Sequence, residues 1–143
     1  GQYLKSGFVT RIQPELVAAI VDRLEGHPQR STAVFFQLGG GAISRIPASA
    51  TAFAQRDVLA NMLCAVGWKH GDDPAAHIQW IKQYWTGLEP FTSGFYVNDL
   101  EAEHSESAIR ATYRRNHERL VAVKNRYDPR NLFRLNANVM PKA

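Results

Sequence analysis

Cysteine is nearly missing from this sequence: Cys64 stands alone among 143 residues, which rules out an internal disulfide and any cysteine-cluster metal centre. Flanked by Leu63 and Ala65, it reads as a small buried core residue rather than a reactive thiol. Long apolar runs are missing too. The longest is bracketed by Arg56 and Lys69, well short of the roughly 18 residues that a membrane-spanning helix needs, so no membrane association is expected. His27, His70, His77, His104 and His117 have no paired spacing with cysteine or carboxylates, and no metal is expected. There is no Gly-x-Ser-x-Gly elbow, and Gly39-Gly40-Gly41 lacks both the GxGxxG spacing and the Lys-Ser/Thr of a phosphate loop. Acidic residues are scarce in the tail, where nine basic residues face three acidic ones from His104 onward. These cations are threaded through Leu120, Val121 and Val123 without a platform of aromatics. They read as a solvated helix face, and no nucleic-acid partner is expected.

What is present is enough apolar residue, 45% of the chain, for one core. Tyr3 to Val9 alternates as a half-buried strand does. Pro14 suits a first helical turn, and Leu16, Val17, Ile20, Val21 and Leu24 follow at helical spacing. A helix is therefore expected over 14–25, ended by Gly26 and Pro28. Thr32–Leu38 is β-branched and aromatic, and Ala42–Ile46 reads as a further strand after the glycine run. That run reads as a bulge or a close backbone approach. Val58–Trp68 suits a buried strand, although Leu59, Met62 and Leu63 also fit a helix. Asp72-Asp73-Pro74 starts a helix that stops before Pro90. A last helix, or a pair broken near Asn116 and His117, is expected over 106–127, and Pro129 forbids its continuation. The order points to an α+β fold, an antiparallel sheet with helices on one face.

The strongest local pattern lies near the end of the chain. Tyr96 and Asn98 are followed by Arg119-Leu120, Lys124, Asp128-Pro129, Asn131, Phe133, Asn136, Asn138 and Pro141. This order and spacing resemble the carboxyl-terminal segment of the berberine bridge enzyme-like FAD-linked oxidoreductases, of the vanillyl-alcohol oxidase fold. Upstream, Gly40–Ile46 resembles that family's Gly-Gly strand. Thr51-Ala52-Phe53 with Arg56 resembles its Thr-x-Phe-x-His-Arg segment, with Gln55 where the family often has His. The resemblance implies that the chain is the carboxyl-terminal part of a larger FAD-dependent oxidoreductase. Gly1-Gln2 then reads as a cut or tagged end, and the chain alone is expected to be inactive. Residues 1–92 would form part of the substrate-binding sheet and helix layer. Residues 93–143 would be the segment that folds back toward the FAD domain, the two making one compact unit.

The resemblance also implies partners: FAD, held mainly by an amino-terminal region of the same parent, a small-molecule substrate and O2 as final acceptor. Family members commonly place a catalytic Tyr after the motif's Asn; this chain has Asp99 there. Asp99 and Tyr96 are the candidate catalytic residues, and loop capping and ring packing are their plainer roles. Gln37 is the candidate substrate-facing group. Asn98, Asn136 and Asn138 are the candidate flavin contacts, with turn and loop roles as the alternative. A stand-alone binding or interaction module without flavin chemistry is the alternative function. The expected protein is soluble and, in a bacterium, cytoplasmic rather than secreted.

Overall fold

Antiparallel pairing of β1 (Gln2–Val9) and β2 (Arg30–Leu38) on either side of β3 (Ala60–Trp68) builds a three-stranded sheet of order β1-β3-β2. The structure, a computed structural model, describes residues 1–24, 29–99, 105–135 and 137–142. Because side chains alternate across a strand, β3 sends Ala60, Met62, Cys64 and Val66 to one face and Asn61, Leu63 and Ala65 to the other. The first set packs with Val9, with Leu16 of α1 (Pro14–Asp22), and with Ile81, Tyr84 and Trp85 of α2 (Pro74–Thr86). That face is the core, and α1 and α2 cover it. Cys64 is fully buried there, and burial pushes its thiol up to about 12, as befits a packing residue.

The helix signals behave as their chemistry requires. Pro14 occupies the first turn of α1, where a missing N–H costs nothing. The helix stops at Asp22, short of the expected 25, because Leu24 N–H donates to Val21 O at 3.3 Å and tightens the last turn. Gly26 and Pro28 lie outside the described residues. The Asp73 carboxylate accepts from Ala75 N–H at 3.0 Å and caps α2, with Pro74 at its first position. Tyr84 O–H donates to Ile20 O at 2.7 Å, joining α2 to α1, and burial raises that phenol to about 12. Glu89–Phe91 then forms a short 3-10 turn. Residues 106–127 are indeed two helices, α3 (Glu106–Tyr113) and α4 (Asn116–Tyr127), with Arg114 at φ +50° in the break.

One expected strand is absent. Ala42–Ile46 is not a strand but a succession of turns: Ile43 N–H donates to Gly40 O, Ile46 N–H to Ile43 O, and Ser44 Oγ to Gly41 O. The cause is Gly40 at φ +93° and Gly41 at φ +55°, which turn the chain away from the sheet just after Leu38. Gly39 is the close backbone approach, since a Cβ there would sit 2.7 Å from Val58 O.

Gly94 fixes how the following segment docks. It adopts φ +65°, and a Cβ at this position would lie 2.8 Å from the Thr112 Cα of α3. Thr112 Oγ1 accepts from Phe95 N–H at 2.9 Å and donates back to Phe95 O at 3.3 Å. Gly94→Ala therefore combines left-handed strain with a backbone clash. It should cost about 1–3 kcal/mol, read as a lower urea midpoint at unchanged slope.

Candidate functional site

The sheet face opposite α1 and α2 borders a concavity of about 700 Å³. Its floor is the end of the sheet where Phe8, Asn61 and Gln37 stand side by side in register across the strands. One wall is the turn-rich segment 39–58, and the other is the turn 95–98 with Thr112 and Tyr113 of α3. Aromatic edges line it: Phe8 meets Phe53 edge to face at 5.9 Å, and Phe53 meets Tyr96 at 6.3 Å. The Arg56 guanidinium lies 4.8 Å from the Phe53 ring centre and donates to Thr51 Oγ1 at 2.7 Å, so its charge serves the loop. Burial raises the Tyr113 phenol above its ordinary value.

Amide side chains hold the 39–58 wall to the helices. Gln55, 1% exposed, donates through Nε2 to Ala111 O and Thr112 O at 3.1 Å each, satisfying carbonyls that the end of α3 leaves open. Asn116 donates to Ala48 O at 2.7 Å and Thr51 O at 3.0 Å, and Arg119 donates to Ser49 O at 3.2 Å. Arg114 pairs with Asp57 and draws that carboxyl below its ordinary value. Gln55 thus has a structural task here in place of the His found in the resembling segment.

The concavity gathers three of the residues singled out from the sequence. Gln37, Tyr96 and Asn98 line it. Asn98 Nδ2 donates to the Tyr96 hydroxyl at 2.8 Å. Asp99 joins through Asn61, whose Nδ2 donates to Asp99 Oδ2 at 3.3 Å and to Gln37 Oε1 at 3.4 Å. Asn138 is not brought in: it sits in the tail, with its Nδ2 3.0 Å from Met140 Sδ. Asn136 lies outside the described residues. Asn61 was missed in the sequence because it stands inside an apolar strand run. Its signal was that break in hydrophobicity, a polar residue in a central strand, which has to find buried partners.

The tail motif has a local physical basis. Asp128 accepts from Leu132 N–H at 2.7 Å and Phe133 N–H at 3.1 Å, and Lys124 bridges Asp128 to Phe133 O. The Lys124 ammonium, followed by those N–H groups, holds the Asp128 carboxyl below its ordinary 3.8. A folded-state value below the unfolded one stabilises the fold above about pH 4, and that stability is lost as pH falls through the lower folded value. Asp128→Asn should therefore flatten the acid limb of the stability curve, measured by urea unfolding between neutral pH and pH ~3.

Among the described residues, no helix is long and apolar enough to cross a membrane, and no group of three or more His, Cys, Asp or Glu is placed to hold a metal ion.

Residues 95–140 match the family model described as berberine and berberine like. The chain is 33% identical over 127 residues to the uncharacterized FAD-linked oxidoreductase YgaK of Bacillus subtilis (strain 168), covering 87% of this chain and 28% of that protein. It is 31% identical over 120 residues to aclacinomycin-N/aclacinomycin-A oxidase of Streptomyces galilaeus, covering 71% of this chain and 22% of that one. Among solved structures, aclacinomycin oxidoreductase superposes with a TM-score of 0.85 at 22% identity over 99% of this chain and 32% of its own. Chitooligosaccharide oxidase does so at 0.85 and 24% identity, over 100% and 33%. These superpositions establish the fold, and the chain spans under a third of the length of the relatives it matches. With the carboxyl-terminal motif and the relatives in agreement, residues 95–140 carry the berberine-like segment, and the chain matches the carboxyl-terminal part of larger berberine bridge enzyme-like FAD-linked oxidoreductases.

Proposed function

We propose that this chain forms the substrate-side wall of the flavin site in a longer FAD-dependent oxidoreductase, covering the isoalloxazine ring where Gln37, Tyr96, Asn98 and Asp99 meet. The observation that carries this reading is the concavity itself. Three separated stretches of sequence bring polar groups to one end of an aromatic-walled hollow, on the sheet face that α1 and α2 leave uncovered. Its volume, about 700 Å³, falls within the range of small-molecule sites. The donor set fits a flavin and its substrate: flat apolar edges from Phe8, Phe53 and Tyr96 suit a planar ring, and the amides and the carboxylate suit its polar rim.

When bound, FAD would supply the two-electron acceptor, with O2 as the final acceptor, as the oxidase among the relatives favours. The chain's own residues bind and orient the substrate and move its proton. Asp99 is the general base, Tyr96 fixes the neighbouring ring edge, and Gln37 contacts the substrate. Asn98, on the rim, is the amide assigned to the flavin; Asn138, held against Met140, is given no such role. The tail 93–143 turns toward the region that binds most of the FAD. Phe133 and Leu135, 82% and 87% exposed, are the apolar side chains that this contact would cover. Without that region the chain is inactive.

The test is to express the parent from its complete coding sequence and measure flavin. A yellow protein with about one FAD per chain, reduced by at least one of aclacinomycin A, reticuline, xylobiose or a chitooligosaccharide, supports the proposal. A colourless, folded parent refutes it.

A further inference from the structure

Gln37 and Asn61, at the polar end of the concavity, and Asp99, joined to them through Asn61, constrain one another's orientation. Asp99 presents a carboxylate, which only accepts hydrogen bonds, so the group 3.3 Å from its Oδ2 has to be the N–H2 of Asn61 and not its oxygen. The same N–H2 lies 3.4 Å from Gln37, which must then turn its oxygen toward Asn61 and its own N–H2 away. Asn61 is 6% exposed, and its Oδ1 is buried without a partner. The amide is therefore set by its two acceptors, not by any need of its own oxygen, and an orphaned buried oxygen calls for an explanation.

We propose that Asn61 is the positioning residue of the site, fixing Gln37 as a hydrogen-bond donor and Asp99 as an acceptor on either side of a substrate hydroxyl. This rests on the function proposed above and narrows it to a C–OH centre. A neutral hydroxyl both accepts and donates, so it answers the Gln37 N–H2 and the Asp99 carboxylate at once. A protonated amine only donates and leaves the Gln37 N–H2 without an acceptor. In the oxidation the hydroxyl O–H breaks and its proton passes to the Asp99 carboxylate. With FAD bound, its flavin would be the two-electron acceptor for the carbon's hydrogen and electron pair, leaving a C=O bond on the substrate. Asn61 takes no part in these transfers; it holds Asp99, which takes the proton, and Gln37, which holds the hydroxyl in place.

Selective labelling of Asp, Asn and Gln side chains in the 143-residue chain tests this by NMR. Asn61→Leu, of similar shape, should move the Asp99 Cγ and Gln37 Nε2 resonances while the backbone amides of β1 and α2 stay in place. Asn61→Asp should reverse the local polarity, so that Gln37 swings its N–H2 inward and those protons exchange roughly five- to tenfold more slowly, the equivalent of one ordinary hydrogen bond. Should either buried substitution unfold the chain, Asp99→Asn on the surface turn must still shift the Asn61 Nδ2 resonance. Unchanged Gln37 and Asp99 signals in both Asn61 variants, or an unmoved Asn61 signal in Asp99→Asn, overturn the inference whatever the parent's flavin content. A parent without flavin refutes the function and leaves these signals as they are.

Discussion

Asp99→Asn in the flavin-loaded parent should slow reduction of the flavin by substrate by about 10²–10⁴-fold, the range that a positioned general base contributes. The bound FAD should be retained. The substitution is chosen for what it preserves: an amide oxygen still accepts from Asn61 Nδ2, so the turn and the Gln37 orientation persist, while the group able to take a proton is gone. The Asp99 N–H bond to Tyr96 O at 2.9 Å, which closes the turn, is a backbone contact and survives as well. Anaerobic stopped-flow measurement on whichever compound reduces the parent isolates this step from reoxidation by O2. Reduction within a few-fold of the native rate removes Asp99 from the catalytic role, and Tyr96 then becomes the base to test.

Ile81→Ala should do the reverse. Ile81 is fully buried on α2, in the core cluster with Met62, Val66 and Leu88 on the face of the sheet away from the concavity. Truncation removes buried methylenes and leaves a void that rigid neighbours fill only in part. The expected loss is about 2–5 kcal/mol, with a melting temperature lower by roughly 5–15 °C. Flavin reduction in the folded parent should change little. The contrast follows from the two-faced sheet: Ala60 and Met62 of β3 pack into the core, while Asn61 between them borders the concavity. A variant of Ile81 that kept its stability would show that the helices are not seated on that face as described.

The division also explains what the sequence disclosed. Elements whose cause is local were readable. The Asp73-Pro74 start of α2 is a cap that needs no tertiary partner, and the break before Asn116 follows from side chains that favour loop contacts over helix. Ala42–Ile46 departs from the expected strand because, although Ile43 and Ile46 have strand-forming side chains, Gly40 and Gly41 turn the backbone out of reach of a partner. At the site, Gln37, Tyr96, Asn98 and Asp99 were found through their place in a motif. That Gln37 and Asp99 both reach Asn61 depends on the register of β2 on β3 and on the docking of the 95–99 turn, non-local facts that spacing along the chain does not carry. Asn138 shows the converse: it shares the motif, and in this fold it turns to Met140.

Whether the hollow beside Asn61 faces the flavin is decided most directly by a crystal structure of the FAD-loaded parent. The arrangement described here predicts the isoalloxazine ring against the uncovered face of the sheet, within contact distance of Gln37, Tyr96 and Asn98, with Asp99 beside the ring's reactive edge. A ring bound elsewhere, with the hollow between β3 and the 39–58 turns filled by protein side chains, would contradict it.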